Sequence, residues 1–131
     1  QEDGSRPALV FMHHPPFITG MGAMDEPFEG ADLLRDVLSR APWARLCCGH
    51  MHRPIFTAWA QGLALTVPSI SMQIDLDLSP EGGDTFRMEM PGYMLHHWDG
   101  SHLNSHVCQI PADVDFSGPH PFADSVNPVE D

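Results

Sequence analysis

Two short stretches carry histidines at a spacing that suits a metal ion. The first is Cys47-Cys48-Gly49-His50-Met51-His52-Arg53-Pro54, an apolar run that ends in a glycine and then presents two histidines one residue apart. In extended backbone, residues i and i+2 project to the same side, so His50 and His52 are expected to point into one volume while Met51 points away. Imidazole is the commonest metal-binding side chain, and Gly49 lets the backbone turn and approach an ion with no Cβ in the way. The second stretch is Ala8-Leu9-Val10-Phe11-Met12-His13-His14-Pro15-Pro16-Phe17, five apolar residues that end in a histidine pair. Nine histidines in 131 residues make a lone His-x-His an easy coincidence, so the weight rests on the two stretches together.

Both stretches read as strands that deliver histidines at their carboxyl ends, where open α/β sheets gather their chemistry. Trp43 to Cys48, bounded by Pro42 and Gly49, fits a buried strand. Ala8 to Met12 fits a central strand that stops at Pro15 and Pro16, which cannot continue a ladder. If the two strands lie close, His13, His50 and His52 share one crevice. Between them, Ala31 to Ser39 places Leu33, Leu34, Val37 and Leu38 at helical spacing, with Asp32 in the first turn and Pro42 beyond the end. Strand, helix and strand make a βαβ unit, with parallel strands and a right-handed crossover. Phe17 to Gly30 has no clean period and reads as an irregular loop. Beside a site it serves as a lid or a wall, its methionines and phenylalanines suiting an organic group, or else as a plain surface connection.

Downstream, Ile55 to Trp59 and Leu63 to Val67 flank a turn at Gln61-Gly62 and read as a hairpin. Met72 to Leu78 alternates as a half-exposed strand does, which makes Asp75 and Asp77 solvated residues before ligands. Pro80 to Asp84 reads as a turn, Phe86 to Pro91 and Tyr93 to Asp99 as short strands, and His106 to Ile110 as the return strand after a turn at Asp99-Gly100. His96, His97, His102 and His106 are then residues of sheet faces. Cys47 and Cys48 are buried strand residues. Residues 113–131, rich in proline and acid, form an extended or disordered tail.

The order strand-His-His-Pro-Pro, helix, strand-Gly-His-x-His resembles the second half of the calcineurin-like metallophosphoesterases. The nearer likeness is to the branch of class III cyclic nucleotide phosphodiesterases and glycerophosphodiesterases. Pro16-Phe17-Ile18-Thr19-Gly20-Met21 with Met24-Asp25, Val67-Pro68-Ser69-Ile70-Ser71 and Pro91-Gly92-Tyr93-Met94-Leu95 extend it over residues 6 to 112. The resemblance implies an α/β fold, with residues 1–112 forming the carboxyl-terminal half of a four-layer αββα sandwich. It implies hydrolysis of a phosphoric diester by two divalent ions drawn from iron, manganese, zinc or cobalt. By it, His13 binds the second metal together with His50, His52 binds the first, and His14 stands behind them, orienting a ligand or touching substrate. The family's first three blocks, D-x-H, G-D-x-x-D and G-N-H-D or G-N-H-E, do not occur. The chain is therefore expected to be the carboxyl-terminal part of a longer enzyme, holding at most one weakly bound ion and inactive by itself.

Composition narrows the partners. A net charge of −12 without a single lysine repels nucleic acid and anionic membranes at long range. A phosphodiester must then be held locally, by metal ions and by an arginine such as Arg53, for which an ion pair with an acid is the other reading. No apolar run approaches a membrane span, no signal peptide stands at the amino end, and three cysteines, an odd number, fit a reduced cytoplasmic setting. Half a sandwich leaves sheet edges open, so the missing amino-terminal half or a second copy in a homo-oligomer is the expected partner. Two other readings stay open: a non-catalytic interaction module with a vestigial metal site, and a mononuclear zinc hydrolase using His13, His50 and His52.

Overall fold

Ala44-Arg45-Leu46-Cys47-Cys48 alternates two sets of side chains that must be covered on opposite faces, and it takes the inner position that this requires. The computed structural model describes residues 6–26, 28–80 and 85–111. In it, β2 (Ala44–Cys48) lies between two parallel neighbours, β1 (Ala8–Met12) and β4 (Gly62–Thr66), and β3 (Ile55–Trp59) pairs antiparallel with β4. The sheet order is β1-β2-β4-β3. The parallel βαβ unit and the β3–β4 hairpin are thus as the sequence predicts, with the turn at Ala60-Gln61, one residue earlier than expected, because these two residues take the left-handed φ of a two-residue hairpin turn. Residues 81–84 of the turn expected over Pro80 to Asp84, and the tail expected over 113–131, lie outside the described residues.

One face of the sheet buries Leu46, Cys48 and Ala64, packed by Val10, Met12, Phe17, Leu38 and Trp59. Leu38 comes from α1 (Ala31–Leu38), which crosses from β1 to β2. The helix uses only part of its apolar stripe. Leu33 is 74% exposed and Val37 62%, so the four-residue face predicted from spacing is reduced to Leu34 and Leu38.

The opposite face is crossed by a hairpin of β7 (Gly92–Trp98) and β8 (Leu103–Gln109). Arg45 and Cys47 project there by alternation. The Arg45 guanidinium donates to the Leu103 carbonyl at 2.7 Å and to the Ser105 hydroxyl, Ser105 Oγ lies 2.6 Å from His96 Nδ1, and His96 Nε2 lies 3.7 Å from Cys47 Sγ. His96 is half-buried in this relay while His97, His102 and His106 are exposed on the hairpin. The return strand starts at Leu103, earlier than predicted, because Asp99 closes the turn by accepting from the Ser101 and His102 amides at 2.7 and 2.6 Å.

Two expectations change. β1 is an edge strand among the described residues, and Phe11 on it is 68% exposed. A run of five apolar residues predicts cover on both faces, whereas here only the Val10 and Met12 side is well packed. The alternating strand over Met72 to Leu78 shrinks to β5 (Gln73–Ile74), paired with β6 (Phe86–Arg87). Beyond it, Asp77 accepts from the nearby Ser79 amide and turns the chain away, while Asp75 pairs with Arg87. No helix of the described residues is long and apolar enough to cross a membrane.

Burial pushes the Cys47 thiol up to about 11, against the pull of Arg45, and the Cys48 thiol up to about 12, with Cys47 adding to the shift. Above the ordinary thiol value of 9.0 the unfolded chain ionises these groups while the folded chain keeps them protonated. Stability should therefore fall as pH climbs from 9.0 toward 11. At pH 8, native-state alkylation with iodoacetamide should label Cys108 first and spare Cys47 and Cys48 until the chain is unfolded, as intact mass will read.

Candidate metal centre

The register of β1 and β2 makes the site. Met12 pairs with Cys48, so both strands end at the same level, and the Gly49 amide donates to the Met12 carbonyl at 3.2 Å. His13 and His14 leave β1 beside His50 as it leaves β2. One ring nitrogen from each of His13, His14 and His50 lies within 4.8 Å of the others. The His14 and His50 rings are tilted 34° with centroids 4.2 Å apart, and His13 meets them edge-on at 4.8 and 5.4 Å. A Cβ on residue 49 would sit 3.2 Å from His13 Nδ1, so the glycine leaves the His13 ring its place against the β2 strand end.

The chain between Gly49 and Arg53 is not extended, which corrects the basis on which His50 and His52 were expected to project together. Their φ angles are 64° and 48°, both left-handed, at a cost of about 1–2 kcal/mol for each such residue. Met51 between them is fully buried against Met21 and Ile74, with Met24 and Ile55 alongside. Burying a methionine is worth about 1.5–3 kcal/mol, enough to offset much of that strain. The exit is held by Thr66, whose hydroxyl donates to the Arg53 carbonyl and accepts from the Ile55 amide at 3.1 Å.

The tight turn separates the two histidines. His50 joins His13 and His14, and His52 is not among the three. His52 Nδ1 is instead buried with no hydrogen-bond partner among the described residues. An unsatisfied buried group of this kind costs about 1–3 kcal/mol, and an electrophile such as a metal ion is one partner able to relieve it. Arg53 has its Nε on the Ile74 carbonyl at 2.9 Å and a terminal nitrogen on Glu89, also at 2.9 Å, so it forms the ion pair that was the alternative to a phosphate contact.

Electrostatics favour neutral imidazole at the centre of the cluster. The His50 pKa is lowered, first by burial and then by His14, with Glu26 and a hydrogen bond from the ring to the Met24 carbonyl opposing and His13 adding a little. A neutral ring keeps a lone pair for a cation, and three imidazoles suit zinc, copper, iron or nickel. The donor set therefore fits a divalent ion. The loop supplies two contacts that leave no trace in the sequence pattern: Glu26 Oε2 lies 3.2 Å from His14 Nδ1, and the Met24 carbonyl lies 3.2 Å from His50 Nε2. Met21 of that loop is fully buried, so this methionine is core and not a wall facing a ligand.

No family model matches the chain. Curated proteins do. It is 37% identical over 118 residues to the probable glycerophosphodiester phosphodiesterase GpdQ of Arcobacter nitrofigilis, a match of 87% of this chain and 42% of that one. It is 32% identical over 108 residues to a probable cyclic nucleotide phosphodiesterase of Rhodopseudomonas palustris, covering 80% of this chain and 39% of that protein. It is 31% identical over 102 residues to the glycerophosphodiester phosphodiesterase GpdQ of Enterobacter lignolyticus, covering 74% and 35%. The chain is homologous to part of proteins named glycerophosphodiester phosphodiesterase and cyclic nucleotide phosphodiesterase. It spans 42% or less of the length of these three relatives.

Gly49→Ala should displace the His13 ring by a few tenths of an ångström and weaken divalent-ion binding about tenfold, the scale on which displaced ligand supports act. A cobalt titration followed by absorbance checks it, and thermal melting shows whether the sheet itself survives the change.

Proposed function

We propose that this chain carries the histidine-rich part of a metal-dependent phosphodiesterase site. The observation that supports the reading is the meeting of His13, His14 and His50 within 4.8 Å at the level ends of β1 and β2, in a chain homologous to proteins named as phosphodiesterases. These three side chains would hold one divalent ion, and His52, with its buried unpartnered Nδ1, would serve the other ion of a pair. Ions bound there supply Lewis-acid polarisation of the phosphoryl group and activation of water at neutral pH. The chain's own residues favour a neutral His50 by burying it and hold the strand ends together.

The substrate class is a small phosphodiester, held by the ions against a protein surface that is otherwise strongly acidic. The partner in this reading is the amino-terminal part of the same enzyme, or a second copy of the chain, seated on the uncovered side of β1. The setting is reduced and cytoplasmic, as the three free thiols suit. A second reading draws on the cluster itself: three imidazoles with no carboxylate among them suit a single-ion site.

The test pairs metal content with turnover of bis(p-nitrophenyl) phosphate in added manganese, for the 131-residue chain and for the whole product of its gene. Two ions per molecule and hydrolysis in the whole product, with one weakly held ion and no turnover in the 131-residue chain, is the expected result. His50→Ala in the whole product should then cut turnover about a hundredfold or more, since even the supports of a metal ligand act on that scale. One tightly held ion favours the single-ion reading. Absence of both metal and turnover would leave a non-catalytic module.

A further inference from the structure

The hairpin of β7 and β8 is fastened to the sheet by two polar side chains. Among the described residues, every hydrogen bond from the hairpin to a strand of that sheet runs through Arg45 or His96. The Arg45 guanidinium holds the Leu103 carbonyl and the Ser105 hydroxyl, and His96 lies between Ser105 Oγ and Cys47 Sγ. Open clefts flank this contact. On one side of His96 is a cleft of about 540 Å³ lined by Leu9, Trp98 and Leu103, and on the other a cleft of about 370 Å³ bordered by Phe11, Pro68 and Met94. The base of the hairpin is fixed separately, the Gly92 amide donating to the Ser69 carbonyl at 2.9 Å. Gly92 is thus placed as a hinge and His96 as a clasp.

The clasp suits a neutral imidazole. Facing His96 are Arg45 and Cys47 from β2 and Arg6 from ahead of β1, while Tyr93 of β7 borders the second cleft. Phe11 from β1 meets the ring edge-on at 6.3 Å and carries no charge. Among the described residues, no aspartate or glutamate lines either cleft. A proton on His96 therefore sets a second cation next to Arg45, with the Ser105 hydroxyl between them and no carboxylate to offset it. Burial first, and Arg45 second, lower the His96 pKa. A lifted hairpin returns the ring to water and to its ordinary value of 6.5, so the lifted state binds the proton more tightly. Docking is then fully favoured above 6.5 and weakens as pH falls through 6.5 toward the lowered value of the docked ring.

We propose that the β7–β8 hairpin is an acid-opened strap, closed on the sheet by Arg45 and a neutral His96 and released when His96 takes up a proton. Opening uncovers the face of the sheet that carries Phe11 and Cys47. The strap is independent of the metal reading above.

Cys47 and Cys48 are adjacent on β2 and face opposite sides, so they separate lifting of the hairpin from unfolding. Lifting bares Cys47 alone, whereas unfolding bares both. The experiment treats the 131-residue chain with dithiodipyridine, which reacts with thiols in acid, in steps from about pH 7.5 to about pH 5, and follows each cysteine by peptide mass. The Cys47 rate, taken relative to Cys108, should rise as pH falls below 6.5 while Cys48 stays protected. The rise should reach up to about tenfold per pH unit, the limit for one proton taken up on opening. H96N keeps an amide facing Ser105 and cannot become charged, so its relative Cys47 rate should be the same at every pH. L9E sets a carboxylate in the His96 cleft and should move the opening to lower pH. A Cys47 that stays covered to about pH 5, or that reacts only in step with Cys48, would overturn the strap. So would an acid response unchanged in H96N or in L9E.

Discussion

The level, parallel pairing of β1 with β2 is the constraint on which everything else depends. It sets Met12 against Cys48 and lets one further hydrogen bond, from Gly49 to Met12, carry the pairing past the strands. Two chain segments separated by a loop and a helix then release their histidines from one line. A shift of one residue in this register would send the buried side chains of a strand to the wrong face, so the core that fixes the register also fixes the site. Leu46 and Cys48, packed with Val10 and Met12, are as much a part of the histidine cluster's geometry as the imidazoles.

The histidine turn shows a local cost borne by distant packing. Left-handed backbone at His50 and His52 is unfavourable by itself, and nothing at those two positions repays it. The compensation lies at Met51, buried between them, and at Thr66, which grips the carbonyl where the turn ends. The cluster that receives Met51 also receives Met21 from the loop, which ties the aperiodic segment to the most strained part of the chain.

Much of this was legible in the sequence. Pro7, Pro15, Pro42 and Gly49 bracket the two strands, the helix period lies between them, and Gln61-Gly62 marks the hairpin, so the βαβ unit and the β3–β4 pair could be read from local signals. His13 and His50 were legible as neighbours for the same reason. His14 was not placed among the clustered nitrogens, because alternation separates adjacent residues on a strand, and this pair lies just past the strand end where alternation lapses. His52 was expected beside His50 on the strength of extended backbone, and a tight turn took its place. The loop left no periodic trace because one carboxylate, Asp25, organises it through four donors. Glu26 and Met24 acquire their meaning only from that fold.

The open side of β1 bears on how the molecule behaves among its own kind. Phe11 stands mostly in water, and with Leu9, Ile70, Tyr93 and Leu95 it adds to the exposed apolar surface. A net charge of −12 opposes the approach of two such surfaces. That repulsion reaches about 10 Å at 0.1 M ionic strength and about 3 Å at 1 M. Added salt therefore shortens the range over which the charge opposes contact between these apolar faces.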